Sequence, residues 1–346
     1  MATALSETPA QFPRIDHPAA WTAAEVGGRE GLEHRLSPAQ ADALRGLART
    51  LEGRDVASIT RADADDPAIV DLMAAVRFEL QRGKGGMILS GLDLEDLSED
   101  AFSRLFWALG THLGIGAVQS ARRDLIGRVE KLEDNPAGRG YQSDIELSSH
   151  CDFHEFLALA CYRAADEGGE SGLVSSLAIH DVMARERPDL LALLYRGFPH
   201  QSADDSDRTP HDVPVFCEVD GTVSAYFHML FYVNAARGLG REIPADLREA
   251  LSYMSACAKR PELKASFQLA PGEMVFWHNF VNLHSRTNFT DRPDHRRLLF
   301  RLWLHARPGE GRPMHPDFLK RAQLMDVVHS EGRPALVYRL DEIRPR

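Results

Sequence analysis

The segment "SSHCDFHEF", Ser148 to Phe156, sets His150, Asp152 and His154 at alternating positions. On an extended strand alternate side chains leave the same face, so this stretch offers both a His-x-Asp and an Asp-x-His pair. Either pair can grip a divalent metal, and each needs a third ligand from elsewhere. Two imidazoles and one carboxylate on one octahedral face leave three positions open, the arrangement of non-haem Fe(II) in oxygen chemistry. Zinc accepts the same donors in tetrahedral geometry. In a chain with 15 histidines, a solvated face is the bland alternative. Candidates for the third ligand lie in "PGEMVFWHNFVNLHSRTNF". His278 ends the strand that follows the Pro271-Gly272 turn, and His284 sits on the next short segment.

Beyond His284 comes "HRRLLFRLWLH". Leu299, Phe300, Leu302, Trp303 and Leu304 predict a deeply packed strand, yet Arg297 and Arg301 interrupt it on one shared parity. A buried guanidinium needs an anion, because its desolvation is otherwise uncompensated. A dicarboxylic cosubstrate held by the planar bidentate fork would supply one. Ion pairs with core-facing Asp or Glu would do so equally.

The elements that must position these groups are legible as alternating patterns. Residues 1–30 read as an irregular arm. "SPAQADALRGLARTLEG" from Ser37 opens on a Ser-Pro helix start, and Asp66 to Gln81 reads as a second amphipathic helix. "GGMILSGL" fits a short buried strand. "SEDAFSRLFWALGTHLG" is a helix capped at Ser98 and ended by glycine. From about residue 125 strands dominate: "DLIGRVEKLED", "FLALACYRA", a hairpin about Asp220-Gly221, and the two segments carrying His284 and Arg297. Many strands with helices packed outside predict an α+β sandwich or barrel. With no repeat, low-complexity tract or linker, residues 1–346 read as a single domain.

The 26% charged and 44% apolar content is ordinary for a soluble enzyme. A net charge of −11 argues against a nucleic-acid partner, and the basic residues between Arg292 and Arg301 suit a buried anion better than a polynucleotide. The four cysteines form no CxxC pair, which fits a reducing compartment. No signal peptide is read at the N-terminus, and no stretch reaches the roughly 20 apolar residues of a membrane span. The expected location is cytoplasmic. A homo-oligomer is expected only on general frequency.

Taken together, His150-x-Asp152, "GGES" at Gly168–Ser171, "PGEMVFWHN" and "LHSRTNF…RRLLFRLWL" resemble the taurine dioxygenase / clavaminate synthase-like (TauD/TfdA) family of Fe(II)- and 2-oxoglutarate-dependent oxygenases. The resemblance covers about residues 80 to 306. It implies a double-stranded β-helix, or jelly-roll, core with flanking helices. It also implies His150, Asp152 and His284 as catalytic metal ligands, with Fe(II), 2-oxoglutarate and O2 as cofactor and cosubstrates. Arg297 matches the arginine that holds the distal carboxylate of 2-oxoglutarate, and Ser171 falls where the family places a hydroxyl on the same carboxylate. Arg301 matches an arginine that contacts an acidic group of the prime substrate in several members. Halogenating relatives carry a small residue at the position of Asp152, so a carboxylate there favours hydroxylation with release of succinate and CO2. Desaturation and ring closure stay open, as do a zinc hydrolase and a jelly-roll binding protein without catalysis.

His154 is then left over. It is a substrate contact if the strand runs straight, and elsewhere if the chain turns after Phe153. His278 reads as a structural partner of the ligand region, Asn279 as a brace for the turn carrying His284, and Cys151 as core. Gln119, Tyr141, Gln142 and Glu146 are candidate pocket residues. Glu146 with Arg301 would read both ends of a zwitterion such as an amino acid. Phe227, His228, Phe231 and Tyr232 form an aromatic patch that would close over the pocket. The expected substrate is a small polar or carboxylate-bearing metabolite.

Overall fold

The computed structural model describes residues 12–133, 140–202 and 208–330. Two sheets face each other. Among the described residues the larger has seven strands, ordered Glu33–Arg35, Gly86–Ser90, Met274–His278, Phe156–Arg163, Leu298–His305 and Ile115–Gly116, with Gly127–Val129 also paired to Leu298–His305. The smaller is ordered Lys264–Phe267, Ser171–Ser175, Asn282–Arg286 and Leu147–His150. Ile88, Leu157, Leu173, Phe267, Val275, Trp277, Leu299 and Trp303 fill the space between them. These facing sheets form the jelly-roll core that the resemblance implies.

The far side of the larger sheet is covered by helices Pro38–Leu51, Pro67–Gln81 and Glu99–Leu113. Strand Leu298–His305 therefore has two buried faces, and that explains its nearly unbroken apolar run. Leu298, Phe300, Leu302 and Leu304 face the helices. Leu299 and Trp303 face the other sheet. Fully burying each such side chain stabilises by roughly 1.5–3 kcal/mol. The helices start where the sequence signals: Ser37 accepts from the Gln40 N–H in a reciprocal capping box, and Ser98 accepts from the Ala101 N–H.

A long excursion separates strands Ser171–Ser175 and Lys264–Phe267. It holds helices Ser176–Glu186, Pro188–Leu194, Met229–Gly238 and Ala245–Cys257, plus a hairpin pairing Phe216–Val219 with Thr222–Ala225. Asp220 and Gly221 have φ of 50° and 73°, as a tight two-residue hairpin turn requires. With the C-terminal helix Pro316–Ser330 this layer builds another apolar cluster, which includes Phe153, Phe227, Tyr232 and Phe318. Phe227 and Tyr232 are thus core rather than a cover for the pocket.

The expected irregular arm is helical from Ala23 onward. Thr22 and Glu25 form a capping box that starts helix Ala23–Val26, and helix Gly28–Leu32 follows. Trp21 anchors this segment: its indole N–H donates to the Lys84 carbonyl at 2.7 Å. Residues 1–11 of the expected arm lie outside the described residues. No helix among the described residues is long and apolar enough to cross a membrane.

Candidate metal centre and anion pocket

Strand Leu147–His150 pairs with Asn282–Arg286 so that His150 lies directly across from His284. Their ring centroids are 4.2 Å apart. The strand ends at His150, and the next residues are held one by one. The Cys151 N–H donates to the Phe227 carbonyl at 2.7 Å, and the Asp152 N–H to Asn279 Oδ1 at 3.3 Å. Asn279 Nδ2 donates back to the Asp152 carbonyl. Asn279 therefore braces Asp152 itself. The Asp152 carboxylate stands 3.7 Å from His150 Nε2 and 4.0 Å from His284 Nε2. One donor atom from each of the three falls within 4.8 Å of the others.

Protonation favours metal binding here. His150 Nδ1 lies 2.7 Å from the Ser148 carbonyl, so it carries the hydrogen and leaves Nε2 as a bare donor beside Asp152. Burial, and next the neighbouring His150, push the His284 pKa down to about 3, so this imidazole is neutral. Burial works against ionised Asp152, but the Arg301 guanidinium and the Trp303 N–H favour it, and the carboxyl lies below the usual range. The three side chains keep 16–18% exposure, so the centre opens to one side. Cys151 is fully buried, its thiol pushed up to about 12 by burial, and is core as expected.

Two buried arginines, Arg297 and Arg286, pack on one Phe289 ring. Arg297 is 3% exposed, its guanidinium 4.9 Å from the Phe289 ring, and its Nη1 has no partner. Burial lowers its pKa to about 10. Ser171 starts a strand opposite Arg286 and Phe267, and Phe267 faces the other sheet, so pairing turns Ser171 to that side as well. The Gly169 before it has φ of 73°, and a Cβ there would approach Arg297 Nε to 3.3 Å. Arg286, which sequence reasoning passed over, is also buried at this end, 4.9 Å from the same Phe289 ring. Its Nη2 donates to the Ser143 carbonyl at 2.8 Å, while Nε and Nη1 are unpartnered. The signal that could have found it is its parity with His284.

The other expected pocket residues divide. Gln119 and Arg301 come together: Arg301 Nε donates to Gln119 Oε1 at 3.0 Å, and Gln119 Nε2 donates to the Ala117 carbonyl at 3.2 Å. Gln119 thus holds Arg301, whose guanidinium lies 4.4 Å from the Tyr141 ring and 3.9 Å from the Trp303 ring. Glu146 is exposed, while Arg301 is 7% exposed. Gln142 lies in the turn Gly140–Gln142, where its carbonyl accepts from the Leu132 N–H at 3.1 Å.

His154 departs from the straight-strand expectation. Because the strand stops at His150, it turns away and is fully buried, with Nε2 3.0 Å from Asp326 Oδ1. His278 bonds Glu155 at 3.1 Å and accepts the Phe280 N–H at 3.2 Å, a structural role. His228, half-hidden beside His150 at 5.0 Å between rings, stacks on Phe231 at 3.8 Å.

Two imidazoles, a carboxylate and an open side fit an octahedral Fe(II) with exchangeable positions. The unpartnered buried N–H of Arg297 fits an anion, which an apolar ligand would leave unpaired. The family model described as taurine catabolism dioxygenase TauD, TfdA family matches residues 49–303. The FR-33289 synthase of Streptomyces rubellomurinus is 30% identical over 257 residues, covering 70% of this chain and 75% of that protein. Among solved structures, an asparagine oxygenase in complex with Fe(II), a hydroxyasparagine and succinate superposes with a TM-score of 0.65 at 17% identity, over 81% of this chain and 98% of that one. The non-heme iron oxygenase OrfP with Fe and alpha-ketoglutaric acid superposes with a TM-score of 0.63 at 14% identity, over 88% and 99%.

Proposed function

The chain belongs to the TauD/TfdA family of Fe(II)- and 2-oxoglutarate-dependent oxygenases, and from that premise we propose that it hydroxylates an unactivated C–H bond of a small, carboxylate-bearing metabolite of amino-acid type. Iron and 2-oxoglutarate, when bound, supply the oxidation, with succinate and CO2 as co-products. The observation that carries the assignment is the convergence of His150, Asp152 and His284, and a buried Arg297 whose Nη1 lacks a partner supports it.

The protein's part is positioning. His150, Asp152 and His284 would hold the metal, and the low pKa of His284 leaves that ring with no proton to displace near neutral pH. Arg297, with the Ser171 hydroxyl, grips the distal carboxylate of the cosubstrate. Arg301 packs on the Tyr141 and Trp303 rings with Gln119 fixing its Nε, and presents a rigid cation to an acidic group of the substrate. Fold neighbours that act on asparagine and bind hydroxyarginine support the amino-acid class, in keeping with an acidic group for Arg301 to meet. The described cysteines are all free and buried, in keeping with a reducing, cytoplasmic setting.

The test is anaerobic loading with Fe(II) and 2-oxoglutarate, then exposure to oxygen with a panel of amino acids and related acids, reading succinate. Amino-acid-stimulated succinate that disappears in His150→Ala is the expected result. Stimulation confined to compounds lacking a carboxylate would overturn the substrate class.

A further inference from the structure

Behind the metal ligands lies a second group of metal-binding type, His154, His305 and Asp326, whose donor atoms also fall within 4.8 Å of one another. Hydrogen bonding explains it better than a metal. Asp326 accepts from His154 Nε2 at 3.0 Å through Oδ1 and from His305 Nε2 through Oδ2. With the hydrogen on Nε2, both imidazoles spend it on Asp326, and His154 Nδ1 is left as a buried acceptor without a partner. A metal on Nε2 would move the hydrogen to Nδ1 and strand a donor there.

What this group holds is Trp303. The His154 ring stacks on the indole at 5.0 Å with 15° between planes, and the Arg301 guanidinium lies 3.9 Å from the same ring. The indole edge is thereby aimed, and its N–H donates to Asp152 Oδ2 at 2.8 Å. The other carboxylate oxygen is the one 3.7 Å from His150 Nε2. We propose that Trp303 is a positioning residue for the iron ligand Asp152, clamped by His154 and by Asp326 of the C-terminal helix, so that docking of this helix sets the ligand's orientation. The indole N–H takes one lone pair of Oδ2, the oxygen 4.0 Å from His284 Nε2, and so fixes the carboxylate plane that both imidazoles face. The chain of contacts runs from helix Pro316–Ser330 through His154 and Trp303 to the Asp152 carboxylate. The inference rests on the assignment of His150, Asp152 and His284 as the metal ligands.

The experiment is anaerobic titration of the full-length protein with Fe(II), and with Co(II) for its ligand-field absorption. Trp303→Phe keeps an aromatic ring for His154 to stack on and removes the N–H together with part of the indole. Binding weaker by ~10- to 100-fold, the usual effect of losing such a partner, together with a changed Co(II) spectrum, is expected. Asp326→Asn, which cannot accept from both imidazoles, should weaken binding in the same direction. The double variant should be no worse than Trp303→Phe alone, because both changes act through one contact. Wild-type affinity and spectrum in Trp303→Phe, while Asp152→Ala loses the metal, would overturn the inference and leave the ligand assignment standing. Additive losses in the double variant would overturn the clamp. Retention of metal by Asp152→Ala would overturn the ligand assignment instead. A second Co(II) per chain that disappears in His154→Ala would show the cluster to be a metal site and overturn the hydrogen-bonded reading.

Discussion

Replacing Arg297 by Met should separate cosubstrate binding from folding in opposite directions. In the cosubstrate-free protein the guanidinium is 3% exposed with Nη1 unpartnered, and burial lowers its pKa to about 10. At about 1.4 kcal/mol per tenfold change in the proton equilibrium, the drop from the ordinary arginine value costs the charged form about 3 kcal/mol. Methionine fills much of the same volume without that cost, but gives up the contact with the Phe289 ring, worth roughly 1–2 kcal/mol. The metal-free, cosubstrate-free variant should therefore melt level with wild type or about 1–3 °C higher. Binding goes the other way. Removing one partner of a buried charge pair costs about 2–5 kcal/mol, so 2-oxoglutarate should bind on the order of 100-fold more weakly, with Fe(II) affinity unchanged. Wild type at a cosubstrate concentration about 100 times its Kd gains about 2.7 kcal/mol of stability, and the variant should gain almost none. Differential scanning calorimetry with and without 2-oxoglutarate reads both effects. A variant that melts clearly lower alone and is stabilised by cosubstrate as much as wild type would refute the reasoning.

Gly169→Ala places a Cβ 3.3 Å from Arg297 Nε on a backbone with φ of 73°; it should raise the KM for 2-oxoglutarate while iron titrates normally, and an unchanged KM would show that the loop yields. Phe106→Ala, fully buried 6.0 Å from Phe276 between helix and sheet, should cost about 3–5 kcal/mol in urea unfolding without altering metal stoichiometry. Burial, then His150, holds the pKa of His228 at about 3, and that of His284 is equally low. The unfolded chain takes up these protons near pH 6.5 and the folded one only near 3, so metal-free protein should lose stability steadily across that window. His228→Phe should flatten the slope of the urea midpoint between pH 7 and 5; parallel curves would count against a neutral imidazole there.

Local pattern was enough wherever a property repeats along one element. The capped helices at Ser37 and Ser98, the hairpin at Asp220-Gly221 and the doubly buried strand of Leu298–His305 are stated by periodicity and turn chemistry, because those forces act over a few residues. The family motifs brought Asp152, His284 and Arg297 into one list. Alternation failed at His154, since a strand's two-residue period lasts only as long as its ladder, and this ladder ends at His150. Glu146 was drawn toward Arg301 by charge alone, while the fold leaves one exposed and holds the other against Gln119. Nothing local could show that the Trp303 N–H meets Asp152, that Asn279 braces the same residue, or that a C-terminal helix reaches His154. Those contacts join residues 151, 127 and 172 positions apart. Such meetings depend on how two sheets align and on which hydrogen-bonding groups must find partners once water is gone, and only the assembled tertiary structure decides that.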